Sequence, residues 1–167
     1  MPVNGDPTKR EAWKSWPLPE KLVQLAAYHC DVLNVHEEPK GSNRGEWVEK
    51  YLKAAGLGPG YPWCASFVTY LLKECGYTEG PDKHRAAVIS WARWAENRNK
   101  IVAIPKRGDL FFTLNANGTG HIGIVLELRV DGTLRTIEGN TNDEGDREGY
   151  EVCRRERKMR GLRFIRL

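Results

Sequence analysis

The chain has no apolar run approaching the roughly 18 to 20 residues that a membrane-spanning helix needs, so membrane insertion is not expected. Met1 to Arg10 hold no apolar block either, which argues against a secretory leader. Synthesis in the cytoplasm without a signal peptide is the expectation, and any action beyond the membrane then rests on release or on another delivery system. Cysteine is scarce. Cys30, Cys64, Cys75 and Cys153 form neither a C-x-x-C pair nor a dense framework, which speaks against a disulfide scaffold and a zinc site. Helix-turn-helix spacing and aromatic-interleaved basic patches are missing too, so nucleic acid is not an expected partner. With no internal repeat and no linker, residues 20–167 read as one domain behind an irregular, Pro- and Trp-rich lead-in over residues 1–19, and a monomer is the expected state.

What is present describes an ordinary folded domain: 167 residues, 40% apolar and 29% charged. The net charge is only +4, but Arg154, Arg155, Arg157, Lys158, Arg160, Arg163 and Arg166 crowd the last segment. That segment reads as a solvated strand face, with attraction to an anionic polymer as the sharper alternative. Helical periodicity predicts helices over Glu20 to Cys30, Gly45 to Ala55 (capped by Asn43), Tyr61 to Cys75 and Arg85 to Asn97. His29 falls on the apolar face of the first and reads as a packing residue. From Ile101 onward the period changes to two. Strands are predicted over Ile101 to Ile104, Asp109 to Leu114, His121 to Val130, Leu134 to Glu138 and Leu162 to Leu167, with Val152 opening a further one. Helices first and strands second is the order of a segregated α+β domain.

The third helix holds the candidate nucleophile. Pro62 suits its first turn and Gly76 its end, and Cys64, Phe67, Val68, Leu71, Leu72 and Cys75 form one buried stripe. A thiol in the first turn feels the positive end of the helix dipole and unpaired N–H groups, both of which favour thiolate. A cysteine there is equally a small core residue, so its partners decide. A nucleophilic thiol needs an imidazole, and the imidazole needs a third group on its other nitrogen. His121, opening the strand after Asn117-Gly118-Thr119-Gly120, is the histidine placed for this. With Asp131-Gly132 as a tight two-residue turn, His121 faces Asn142, Gly123 faces Asn140 and Val125 faces Glu138. Asn140 and Glu138 then share a face with His121. Spacing alone does not rank them, and a bulge or shifted turn would bring Glu138 closer.

Four blocks in order now carry a resemblance: Pro62-Trp63-Cys64-Ala65-x-Phe67-Val68, Pro105-x-x-Gly108-Asp109-Leu110-x-Phe112, Gly120-His121-x-Gly123-Ile124-Val125, and Ile137-Glu138-Gly139-Asn140. Together they resemble the CHAP domain, the cysteine, histidine-dependent amidohydrolase/peptidase family of the NlpC-like, papain-fold group. The resemblance runs from about Glu37 to Asn140. It implies a papain-like fold, with N-terminal helices packed on a C-terminal antiparallel sheet and the nucleophile at a helix N-terminus. It further implies hydrolysis of an amide bond in bacterial peptidoglycan, with no metal or other cofactor. Cys64 attacks to form a thioester acyl-enzyme, His121 carries the proton, Glu138 orients the imidazole, and Asn140 is the fourth motif residue. The bond is that of an N-acetylmuramoyl-L-alanine amidase or of a stem-peptide endopeptidase.

One position departs from the pattern. Many members have a polar residue ahead of the nucleophile, where this chain has Trp63. The Cys64 N–H is half an oxyanion hole, and the Tyr61 hydroxyl is the substitute for the missing second donor. Trp63 reads either as a groove-lining residue or as buried packing. Glu37 is placed at the groove border. Two alternatives stand beside hydrolysis of the wall: a non-catalytic wall-binding module of a phage or secreted assembly, and a cysteine protease or acyltransferase acting on proteins.

Overall fold

The computed structural model describes residues 5–141 and 149–167. Two 3-10 turns, Pro7–Lys9 and Glu11–Ser15, lead to α1 (Leu18–Ala27), which continues into a π-helical turn over Tyr28–Val32. Then come α2 (Glu46–Ala54), α3 (Cys64–Glu74) and α4 (Val88–Asn97). Six strands follow: β1 (Ile101–Val102), β2 (Leu110–Leu114), β3 (Gly120–Leu128), β4 (Thr133–Thr141), β5 (Glu151–Lys158) and β6 (Arg163–Ile165). They form one sheet in the order β1-β6-β2-β3-β4-β5, every neighbouring pair antiparallel. The fold is α+β, as the order of periodicities predicts.

Alternation along the strands gives the sheet two distinct faces. Leu110, Phe112, Ile122, Ile124, Ile137, Val152 and Ile165 join the main core with the helices, where Leu22, Leu52, Phe67, Leu71 and Trp91 are fully buried or nearly so. Phe111, Val125, Leu134 and Phe164 form a smaller core on the opposite face. His121 and Glu138 have the parity of this second face. α3 lies on the first, so Cys64 at its N-terminus meets the sheet at the strand ends.

Several boundaries differ from the sequence reading, each for a local reason. α3 starts at Cys64, leaving Pro62 just outside the helix, and ends in a Schellman motif: Gly76 (φ 79°) donates to Lys73 O and Tyr77 to Leu72 O. Asn43 does not cap α2. Gly45 holds that position without a side-chain cap, and Asn43 sits at φ 53° with its carbonyl accepting from Gly60 N–H. The β3–β4 turn has three loop residues, not two, because Arg129 N–H bonds Thr133 O and Gly132 supplies the left-handed φ of 81°. A bulge between Val125 and Glu127 then shifts the register once more, so that Ile124 pairs with Ile137. The two one-residue changes preserve parity but slide β4 by two residues. Gly123 therefore faces Glu138, and Asn142, expected opposite His121, lies outside the described residues. β4 runs on to Thr141, and β5 is a full strand where only its start was legible.

Helix α3 and the sheet approach each other closely at Gly139. A Cβ there would lie 2.8 Å from Phe67 Cγ and 2.9 Å from Trp63 Cζ3. Gly139→Ala should lower stability by about 1–3 kcal/mol through overpacking, read as a fall in midpoint in urea or thermal melts.

Candidate active site

α3 begins without a side-chain cap. Trp63 occupies the N-cap position at φ −129°, ψ 15°, and the first-turn N–H groups receive no hydroxyl or carboxylate from it. These amides stay available to a sulfur or an oxyanion. Trp63 instead anchors the turn by its ring. It is 0% exposed, its Nε1 donates to Glu37 Oε1 at 2.8 Å, and it stacks on Tyr51 with centroids 5.7 Å apart. This corrects two expectations. Neither Trp63 nor Glu37, the latter 3% exposed, borders a groove. They are a buried pair that fixes where the helix starts. Tyr51 continues the cluster by bonding His29 Nδ1 at 2.6 Å, so His29 is a packing residue whose burial pushes its pKa down to about 4.

Cys64 lies at the base of a cleft of about 500 Å³. Ala55, Gly56, Leu57, Tyr61 and Pro62 line it together with His84, Ala86, Ala87, Val88 and the Gly118–Gly120 turn. Tyr61, 54% exposed, lines the same cleft as Cys64. Among the described lining residues His84 is the sole ionisable side chain other than Cys64 and Tyr61, so the walls are small and largely apolar. Gly120 is required where it is, because a Cβ would collide with the Thr113 carbonyl across the β2–β3 pair.

His121 is 5% exposed, and its Nε2 donates to Glu138 Oε1 at 2.8 Å. Cys64 interacts with the same imidazole, and Nδ1, buried and free of any other hydrogen bond, is the nitrogen left to face it. The Glu138 side chain reaches His121 by crossing over Gly123. A Cβ at Gly123 would lie 2.9 Å from Glu138 Cγ and 2.6 Å from the Phe111 ring. That is the physical content of the Gly-His-x-Gly spacing: the second glycine leaves a channel for the carboxylate.

Glu138 is fully buried and carries four hydrogen bonds. Besides His121, it accepts from Thr136 Oγ1 at 2.5 Å and from Arg157 twice, Nε at 2.6 Å and Nη2 at 2.5 Å. Arg157 and Thr136 were not singled out in the sequence. The available signal was the buried glutamate itself, which demands a cation, but assigning one of many arginines needed the β5 register. Asn140 is buried too, at φ 56° in the irregular stretch between Glu138 and Thr141, and its Oδ1 has no hydrogen-bond partner. The contacts thus join Cys64, His121 and Glu138, while Asn140 is not tied to them by a described hydrogen bond.

Electrostatics favours charge separation across this set. Burial raises the Cys64 thiol, but the His121 interaction and the N–H groups of Ile122 and Ala65 outweigh it and leave the thiol below its ordinary range. Burial likewise lowers His121, and the Cys64 and Glu138 interactions outweigh it, leaving the imidazole above its ordinary range. Glu138, despite burial, is held well below the usual carboxylate range by Arg157 and His121. At Cys30 and Cys75 burial, helped by Asp31 and Glu74, outweighs the pull of Arg154 and Lys21 and pushes both thiols up to about 12. No group of three or more His, Cys, Asp or Glu side chains able to hold a metal occurs among the described residues.

The profile of one family, described as the CHAP domain, matches residues 56–140, just over half of the chain. The chain belongs to the CHAP domain family. Neither a curated protein nor a solved structure matches it. CHAP domains are hydrolases and peptidases directed at peptidoglycan, which places this chain in that broad class. The match covers Cys64, His121, Glu138 and Asn140 but ends before Arg157, and it begins after Glu37. The CHAP block Gly108-Asp109 has a structural purpose here: Asp109 accepts from Lys106 N–H at 2.7 Å and from Arg166 at 2.7 and 3.1 Å, tying the β2 entry to the chain's last residues.

The contrast among the thiols is directly measurable. Iodoacetamide at neutral pH should modify Cys64 ahead of Cys30 and Cys75, by about tenfold or more in rate as read by peptide mass spectrometry. Equal labelling would contradict an activated thiol.

Proposed function

We propose that this CHAP domain hydrolyses an amide bond of bacterial peptidoglycan with Cys64 as nucleophile. The observation that carries the reading is the buried Cys64–His121–Glu138 chain opening onto a cleft. His121 Nδ1 holds the thiol proton, so the sulfur attacks the carbonyl carbon as thiolate. The tetrahedral oxyanion is received by the Cys64 backbone N–H, with the Tyr61 hydroxyl as second donor. Collapse expels the amine, which takes the proton from His121, and leaves a thioester on Cys64. Water, deprotonated by His121, then hydrolyses the thioester and frees the thiol. Glu138 holds the imidazole tautomer and stabilises its cation. Asn140 completes the motif. The scissile bond is the N-acetylmuramoyl-L-alanine amide or a bond within the stem peptide, and the small apolar cleft walls suit the short side chains of alanine.

The acting unit is residues 20–167, working as a monomer on the wall after release or delivery from the cytoplasm. Mass spectrometry of fragments released from purified sacculi tests this. The wild type should release fragments with one new type of terminus, which names the bond, and Cys64→Ala should release none. Equal release by both proteins would sink the reading. Glu138→Gln should reduce kcat roughly 10²–10⁴-fold. If Asn140→Ala abolishes release while Glu138→Gln is nearly silent, Glu138 is not the orienting residue.

The pH profile follows from the same groups. Activity needs the thiolate and the imidazolium together. It should rise with pH through a Cys64 value below the ordinary 9.0 and fall through a His121 value above the ordinary 6.5. Glu138 helps raise His121, so Glu138→Gln should move the alkaline limb to lower pH. An alkaline limb that stays in place in the variant would contradict the coupling.

A further inference from the structure

β5 and β6 bring arginines that look like a solvated face, and several serve as such. Arg154 pairs with Asp31 and Arg163 with Glu96, all at partly exposed positions. Arg157 is different. Its side chain is 23% exposed, its guanidinium meets a carboxylate that is 0% exposed, and its Cζ lies 5.2 Å from the centroid of the Phe111 ring, which also contacts His121. We infer that Arg157 is a positioning residue for the Cys64–His121 pair: by gripping both oxygens of Glu138 it aims one fixed, charged oxygen at His121 Nε2.

The geometry of the fork carries this. Arg157 Nη2 donates to Oε1 and Nε to Oε2, at 2.5 and 2.6 Å, so the carboxylate plane is set by two parallel bonds. Thr136 adds a second bond to Oε2. Oε1, shared between Arg157 and His121, has no freedom to swing away from the imidazole. A buried glutamate with only a histidine and a threonine for partners would favour its protonated form, and a neutral carboxyl supports an imidazolium poorly. Among the described residues, Cys64 from α3 and Glu138 from β4 face His121; His121 and Arg157 face Glu138; Glu138 and Cys153 face Arg157. Arg157 lies beyond the matched residues 56–140, so the proposal concerns a part of the chain to which the family assignment does not extend.

The proposal rests on Cys64 and His121 working as a thiol–imidazole pair, and its test reads that pair without any wall substrate. Arg157→Met and Arg157→Lys would be compared with wild type by the pH dependence of Cys64 alkylation, by thermal melting and by sacculus digestion. In Arg157→Met, alkylation of Cys64 at neutral pH should fall about tenfold, the ratio of one pKa unit, as the profile moves toward that of an ordinary thiol. Digestion should lose kcat with KM little changed. Arg157→Lys keeps the charge without the fork and should fall between. A variant that melts earlier but keeps the wild-type alkylation profile would show a merely structural ion pair and overturn the proposal. If Arg157→Met does not fold, Arg157→Lys decides on the same terms: a displaced profile supports the fork, an unmoved one refutes it. A wild-type Cys64 that alkylates like an ordinary thiol would instead overturn the underlying pair, and sacculi left intact by a protein with the displaced profile would count against the substrate alone.

Discussion

A carboxylate with no exposure to water sets the terms for this sheet. Removing a charge from water costs several kcal/mol even after relaxation, and only close partners of good geometry offset it. Glu138 obtains them from three strands: His121 on β3, Thr136 on its own β4, and Arg157 on β5. Each imposes a condition on the fold. Reaching His121 requires a bare backbone at Gly123, and meeting Arg157 requires β5 to pair with β4 in the register that sets Glu138 against Cys153. The β3–β4 bulge is needed as well, since it slides Glu138 to the point opposite Gly123. The sheet is thus specified as much by one buried anion as by its apolar faces.

The thiol end is fixed by a different device. An N-cap side chain would have tied the first turn of α3 by occupying its amides. Here Trp63 ties it from behind, through a ring buried against Tyr51 and bonded to Glu37. The turn gains rigidity while its N–H groups stay open toward the cleft. The Schellman motif at Gly76 closes the other end, so the helix keeps its length and Cys64 its place. The position just before Cys64 is thus given over to anchorage by Trp63.

The sequence reveals some of this more readily than the rest. Period-two alternation and helical stripes are properties of neighbouring residues, so the α+β order, the inward Cys64 stripe and the shared face of His121 and Glu138 are legible from spacing. Parity survives errors that come in pairs, which is why the face is right although the turn has three residues and the strand a bulge. Register does not survive them. Glu138 and Asn140 therefore could not be ranked until Ile124 was seen against Ile137. Arg157 was hidden for the same reason: it follows a connection whose length leaves the β4–β5 pairing open, and alternating arginines on an edge strand look solvated. Trp63 and Asn43 failed differently. Both carry side chains suited to two local roles, and long-range partners, Glu37 for one and the Gly60 amide for the other, made the choice.

Along the line from α3 to β5 the signs alternate once the thiol gives up its proton: thiolate, imidazolium, carboxylate, guanidinium. Every interior member lies between two opposite charges, and the row as a whole is neutral. Four ionisable groups can therefore sit in or near the interior without leaving a net charge uncompensated, which the cost of burying a lone ion would forbid. Neutrality also makes the four titrations interdependent, because changing the charge of one alters the field at its neighbours. The depressed thiol and the raised imidazole are then two views of one property of the row. Arg157, at its far end, acts on the thiol and the imidazole only through the charge it balances on Glu138.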